Sequence, residues 1–159
     1  MRAIGLSACF MLSVAPAMHS QAVPAPAPAS KPAGLHWAPA PAVFPKGAKM
    51  AVVSGDPSKA APFTVELSMP NGYKIPPHFH PTDETVEVKK GTLFVGMGDT
   101  FDAASAKPMK AGEKGSLPAN AHHFAAVKGA TLIAVSAMGP FAMTYVNAAD
   151  DPQKQVAKP

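Results

Sequence analysis

Nineteen prolines in 159 residues, spread through both halves, exclude long helices from most of this chain. Each proline removes a backbone donor and clashes with the preceding helical turn. What remains are short apolar runs separated by turn residues. Met50–Ser54, Phe63–Met69, Glu84–Val88, Thr92–Met97, Phe124–Val127, Thr131–Ala137 and Phe141–Val146 read as strands. Asn71-Gly72, Lys90-Gly91, Gly98-Asp99, Lys128-Gly129 and Gly139-Pro140 punctuate them. Many short strands at this spacing predict an all-β sandwich or barrel. If Lys90 and Gly91 are the centre of a tight hairpin, Val88 lies opposite Leu93. Glu84, Val86, Val88, Leu93, Val95 and Met97 then share the interior face. Phe94 falls outside, where a second layer or a partner subunit would cover it.

The ends of the chain read differently. Arg2 followed by the apolar stretch Ala3–Val14 and small-residue cleavage candidates predicts a signal peptide over residues 1–22. The stretch is too short to span a bilayer, so no stable membrane insertion is expected after cleavage. The destination is the periplasm or the extracellular space. Residues 23–42 form a Pro/Ala-rich linker. Residues 43–148 carry the strand pattern, and 149–159 form a polar tail. Cys9 and Arg2 are the only cysteine and arginine, and both lie in the leader. The mature chain therefore has no disulfide and no arginine clamp for a carboxylate or phosphate. The net charge of +4 comes from scattered lysines without a dense basic run, so nucleic acid is not an expected partner.

Within the strand region, Gly72-Tyr-Lys-Ile-Pro-Pro-His78-Phe-His80-Pro-Thr-Asp-Glu84 sets two imidazoles and a carboxylate at even spacings. On an extended chain such residues share one face. The later pair His122-His123 can supply a further imidazole, and only one of two strand neighbours can enter the same site. Three nitrogens and one oxygen suit a divalent transition metal better than Ca²⁺ or Mg²⁺.

The pattern Gly-x5-His-x-His-x3-Glu-x6-Gly, from Gly72 to Gly91, is similar to the first motif of the cupin superfamily. Gly112-Glu-Lys-Gly-Ser-Leu-Pro118-Ala-Asn120-Ala-His122-His123 resembles the second. Asn120 stands where the family has glycine, and asparagine is among the few residues that tolerate positive φ. The family's last asparagine is absent, with Ala126 or Val127 in its place. The resemblance covers about residues 43–146 and is to small, single-domain, secreted bacterial cupins. It implies a double-stranded β-helix, or jelly-roll barrel. It also implies His78, His80, Glu84 and His123 as ligands of Fe, Mn, Zn, Cu or Ni, and a homodimer.

The expected activity is that of a metal-dependent small-molecule enzyme, oxygenase-type or isomerase/lyase-type. Tyr73, His122 and Tyr145 are the nameable protonic helpers. Without arginine, a neutral or phenolic substrate fits better than a large anion. The alternative is a metal- or ligand-binding or sensor module without turnover, and the blandest reading is a structural barrel without metal.

Overall fold

The computed structural model describes residues 34–155. The leader and the first part of the Pro/Ala segment lie outside these residues, as do the last four positions of the tail.

Nine strands run in chain order among the described residues. These are β1 (Ala38–Pro39), β2 (Lys49–Ser54), β3 (Pro62–Met69), β4 (Lys74–Phe79) and β5 (Glu84–Met97). They continue as β6 (Lys107–Lys110), β7 (Lys114–Leu117), β8 (His123–Met138) and β9 (Thr144–Tyr145). A 3-10 turn (Ala148–Asp150) and one helical turn, α1 (Pro152–Gln155), follow. One path of the sheet runs β1-β2-β3-β8-β4-β9, and β5 joins it through β8 while also pairing β6 and β7. All these pairings are antiparallel. The result is a curled, closed-in sheet of the jelly-roll kind.

The spine is the β5–β8 pair. Glu84–Val88 faces Ile133–Ala137, and Thr92–Met97 faces His123–Lys128, so the two strands pair along nearly their whole lengths. This corrects the expected hairpin at Lys90-Gly91. Those residues form a kink inside one continuous strand, where the register with β8 shifts twice. Gly91 has φ +83°, and a Cβ there would sit 2.7 Å from the Ala130 carbonyl oxygen. Only glycine fits this backbone at this distance. The kink inserts the same parity change a hairpin would. Val86, Val88 and Leu93 therefore all point inward as expected, and Val95 borders the interior cavity. Met97 departs from the expectation: it is 55% exposed at the strand's end. Phe94 is half-buried, flanked by Pro108 on β6 and Ala126 on β8. β8 bends likewise at Lys128-Gly129, where Gly129 has φ +80° and its N–H donates to the Asn71 side chain over 2.7 Å.

Four strands are absent from the sequence-based prediction. β4 contains Pro76-Pro77, which reads as a breaker. The register between β4 and β8 slips there, between Ile75 and His78, so the missing donors fall at a bulge. β6 and β7 are short and lysine-bearing, without apolar alternation. Ala38–Pro39, within the Pro/Ala-rich segment, adds two residues to the edge of β2. Conversely, only Thr144–Tyr145 of the expected strand Phe141–Val146 is extended and paired.

Interior residues from β3, β4, β5 and β8 form one core, which includes Leu67, Met69, Ile75, Val88, Leu93 and Ile133. On the outer side Phe124 is fully buried beneath Phe101, ring centroids 4.8 Å apart. Gly96 makes room for that ring, since a Cβ there would lie 1.9 Å from the tip of Phe124.

Candidate metal centre

The histidines converge because three strand ends do. His78 lies on β4 and pairs directly with His123 at the start of β8. His78 also pairs with Tyr145 on β9. His80 follows the end of β4, and Glu84 opens β5. The chain does not stay extended between His80 and Glu84 but turns through Pro81-Thr82-Asp83. Three hydrogen bonds pin this turn. Asn120 N–H donates to the His80 carbonyl (2.7 Å), Ala119 N–H to Asp83 Oδ1 (2.8 Å), and the Thr82 hydroxyl to the Met138 carbonyl (2.9 Å). Asn120, at the motif position usually held by glycine, has φ +60°.

All four side chains are buried: His78 is 4% exposed, His80 8%, Glu84 8% and His123 3%. One ring nitrogen from each histidine lies within 4.8 Å of the other two. Each Nδ1 faces a backbone carbonyl. His78 meets Pro76 O at 2.8 Å, His80 meets Ala142 O at 2.7 Å, and His123 meets Ala121 O at 2.9 Å. A carbonyl oxygen can only accept, so each Nδ1 carries the proton. In a neutral ring each Nε2 then presents a lone pair. Burial depresses the pKa of all three histidines, most strongly for His78, and so favours the neutral form.

Glu84 stands at the edge of this group, with Oε2 3.1 Å from His80 Nε2. Burial raises its pKa, while the nearby His123 pulls it down. With Nδ1–H of His80 committed to Ala142, the Nε2 lone pair and a carboxylate oxygen face one another at contact distance. Two acceptors so placed need a proton or a cation between them. Three convergent imidazole lone pairs and one carboxylate fit a divalent transition metal held by His78, His80, His123 and Glu84.

None of the other sequence-predicted candidates has its polar atom bonded within this group, although the Tyr145 ring lies 6.2 Å from that of His78. The Tyr73 hydroxyl donates to the Pro45 carbonyl (2.5 Å) and the Tyr145 hydroxyl to the Val43 carbonyl (2.7 Å). Burial pushes both phenols up, and both tie down the segment before β2. His122 lies on the outer surface, where its ring stacks on Phe79 (4.9 Å, 26°) and Nδ1 meets Asp99 at 2.6 Å. Neighbours on a strand point to opposite sides, which separates His122 from His123 and Phe79 from His78 and His80.

The group borders a cavity of about 340 Å³ inside the barrel. This is near the small end of ligand pockets. Besides the four polar side chains, most of its lining is apolar, including Leu67, Ile75, Val86, Leu93 and Ile133. Pro41, Phe44, Phe141 and Met143 also contribute, and sequence reasoning missed them. Pro41 and Phe44 sit in or beside the Pro/Ala segment, and no periodic pattern marks the four as pocket residues. Among the described residues no lysine lines the cavity, and Asp56 is the only charged lining residue outside the four-residue group.

Neither a sequence family nor a curated protein matches the chain. Solved structures do match in fold. A candidate acetylacetone dioxygenase from Methylibium petroleiphilum is 23% identical over 74% of this chain and 79% of its own, with a TM-score of 0.57. A polyketide cyclase from Streptomyces resistomycificus is 20% identical over 70% of this chain and 80% of its own, with a TM-score of 0.55. An RmlC-like cupin from Shewanella frigidimarina is 14% identical over 66% of this chain and 84% of its own, with a TM-score of 0.53. Structural neighbours thus include oxygenase, oxidase and cyclase enzymes. The antiparallel jelly roll and these likenesses lead to one conclusion: this chain has the cupin fold.

Proposed function

We propose that this protein is a metal-dependent enzyme acting on a small uncharged or phenolic molecule, with the metal held by His78, His80, His123 and Glu84. The observation that carries the reading is the set of three buried imidazoles, each oriented by a backbone carbonyl so that Nε2 is free. Such orienting partners fix the tautomer and raise ligand basicity. A divalent metal there would supply Lewis-acid or redox chemistry to an oxygen-bearing substrate. The chain's own contribution is to bind and orient. The apolar walls exclude water and favour a molecule without charge, and with no lysine among the described lining residues only the metal could meet an anion. The oxygenase and cyclase neighbours make an oxygenase-type or isomerase/lyase-type reaction the natural class to test.

One observation favours a second reading, a ligand-binding module without turnover. The Tyr73 and Tyr145 hydroxyls are occupied by backbone carbonyls and His122 faces outward. Beyond the four-residue group, the one acid or base lining the cavity among the described residues is Asp56, which is exposed. An extracytoplasmic location, supported by the sequence of residues 1–22, is part of the same proposal.

Metal content by mass spectrometry, for the wild type beside His78→Ala and His123→Ala, tests the site. One equivalent in the wild type, lost in both variants, is expected. A wild type that takes up no metal after soaking at neutral pH ends the enzyme reading. A metallated protein that converts nothing in a panel of phenols, diols and diketones leaves the binding module.

A further inference from the structure

The cavity's aromatic side has an origin separate from the motifs. Residues 41–46 pass over the barrel before β2. Phe44 N–H donates to the Pro41 carbonyl (2.8 Å), closing a turn, and the two flanking carbonyls, Val43 and Pro45, accept from the hydroxyls of Tyr145 and Tyr73. Both tyrosines are buried, 7% and 6% exposed. Between these two anchors Phe44 is set face to face with Phe141 (5.9 Å, 8°). Phe141 in turn meets Phe63 edge-on (6.2 Å, 88°) and lies 5.6 Å from the ring of the metal-site residue His80. Its own N–H donates to the Pro57 carbonyl (2.7 Å), which holds the backbone of this segment. Phe44, Phe63 and Phe141 all line the cavity.

We propose that Phe141, backed by Phe44 on its tyrosine-anchored strap, is the specificity-determining wall of this site and selects flat, uncharged, single-ring ligands. The proposal rests on the metal-site reading given above. A ligand bound by an oxygen atom beside His80 must lie against Phe141, because that ring adjoins the imidazole. A flat ring gains offset or edge contacts there, whereas a carboxylate carried on the ring away from the metal would be desolvated against apolar walls with no second cation to meet it. The size of the cavity limits the ligand to about one ring. Tyr73 and Tyr145 are then positioning residues. They act by holding the strap, and through it Phe44.

The test uses the full mature chain loaded with Zn²⁺, with catechol and 3,4-dihydroxybenzoate as calorimetric probes. Metal content and thermal stability are measured for every variant. The wild type should bind catechol at least tenfold more tightly than the carboxylated probe. Phe141→Ala should weaken catechol about tenfold with metal content unchanged. Phe141→Leu, which keeps apolar volume without a flat face, should fall between. Tyr145→Phe should weaken catechol by a few-fold, and Phe44→Ala should then add little to it. Equal catechol affinity in wild type, Phe141→Leu and Phe141→Ala, all metallated, overturns the proposal. So does a metallated wild type that prefers the carboxylated probe or binds neither. A wild type without metal instead defeats the metal-site reading. In that event the same Phe141 series on the metal-free protein decides this proposal, with equal affinities, or no binding, overturning it.

Discussion

Acidification should unfold the metal-free protein along a slope set by the histidine cluster. His78, His80 and His123 are buried, their Nδ1 protons are bound to carbonyls, and their pKa values are all depressed by burial. In the unfolded chain each returns to about 6.5. As the pH falls below that value the unfolded state takes up three protons that the folded state resists. Stability held above pH ~6.5 is therefore lost on going down. Each proton contributes at most about 1.4 kcal/mol per pH unit, so three give a limiting slope of about 4 kcal/mol per unit. Glu84 works in the opposite sense. Its raised pKa means that above pH ~4.5 the folded state keeps more of this proton than the unfolded state does, which offsets at most about 1.4 kcal/mol per unit. With all four groups at their limits the net slope between pH 4.5 and 6.5 is on the order of 2.7 kcal/mol per unit. Urea unfolding in the presence of chelator, at half-unit steps from pH 7.5 to 5, measures it directly. His78→Ala should remove about one proton's share. A stability flat across this range, or a slope unaltered in His78→Ala, would refute the reasoning that the imidazoles are held neutral.

Other expectations concern the frame around the site. Gly91→Ala combines left-handed backbone with a Cβ against the Ala130 carbonyl and should cost about 2–4 kcal/mol. Thermal unfolding should show a drop in Tm on the order of 10 °C, and an unchanged Tm would mean the kink is not held by glycine. His122→Ala removes an exposed stack and a hydrogen bond to Asp99 and should change stability by no more than about 0.5 kcal/mol, with full metal content by mass spectrometry. Loss of metal in that variant would place His122, rather than His123, in the site.

What the sequence disclosed follows physical lines. Side-chain periodicity is local, so Glu84, Val86 and Val88 could be assigned to one face before any partner strand was known, while Leu93 joined them through the expected hairpin, whose change of parity the kink reproduces. The path of the chain is not local. A glycine at positive φ serves a hairpin and a kinked strand equally well, and Lys90-Gly91 offers no signal that separates them. Pro76-Pro77 hid β4 because a strand tolerates proline only where its ladder is already interrupted, and that depends on the partner strand. The metal-site histidines stood out because ligand chemistry demands particular residue types at particular spacings. The aromatic wall did not, since phenylalanines at positions 44, 63 and 141 meet only through the closure of the barrel.

The pairing of His78 with His123 carries a kinetic consequence. These residues are 45 positions apart and meet only when the first half of β8 docks onto β4. Closing a loop of that length is entropically costly, and sheets built from such distant contacts fold slowly. An ion held by the proposed site could be captured with full affinity only after this step, so metal uptake would be a clock for the end of folding rather than a nucleus that starts it. A chain emerging unfolded would meet its environment's metals as a nearly finished barrel, and residues that delay β4–β8 docking would slow metal loading without touching a single ligand.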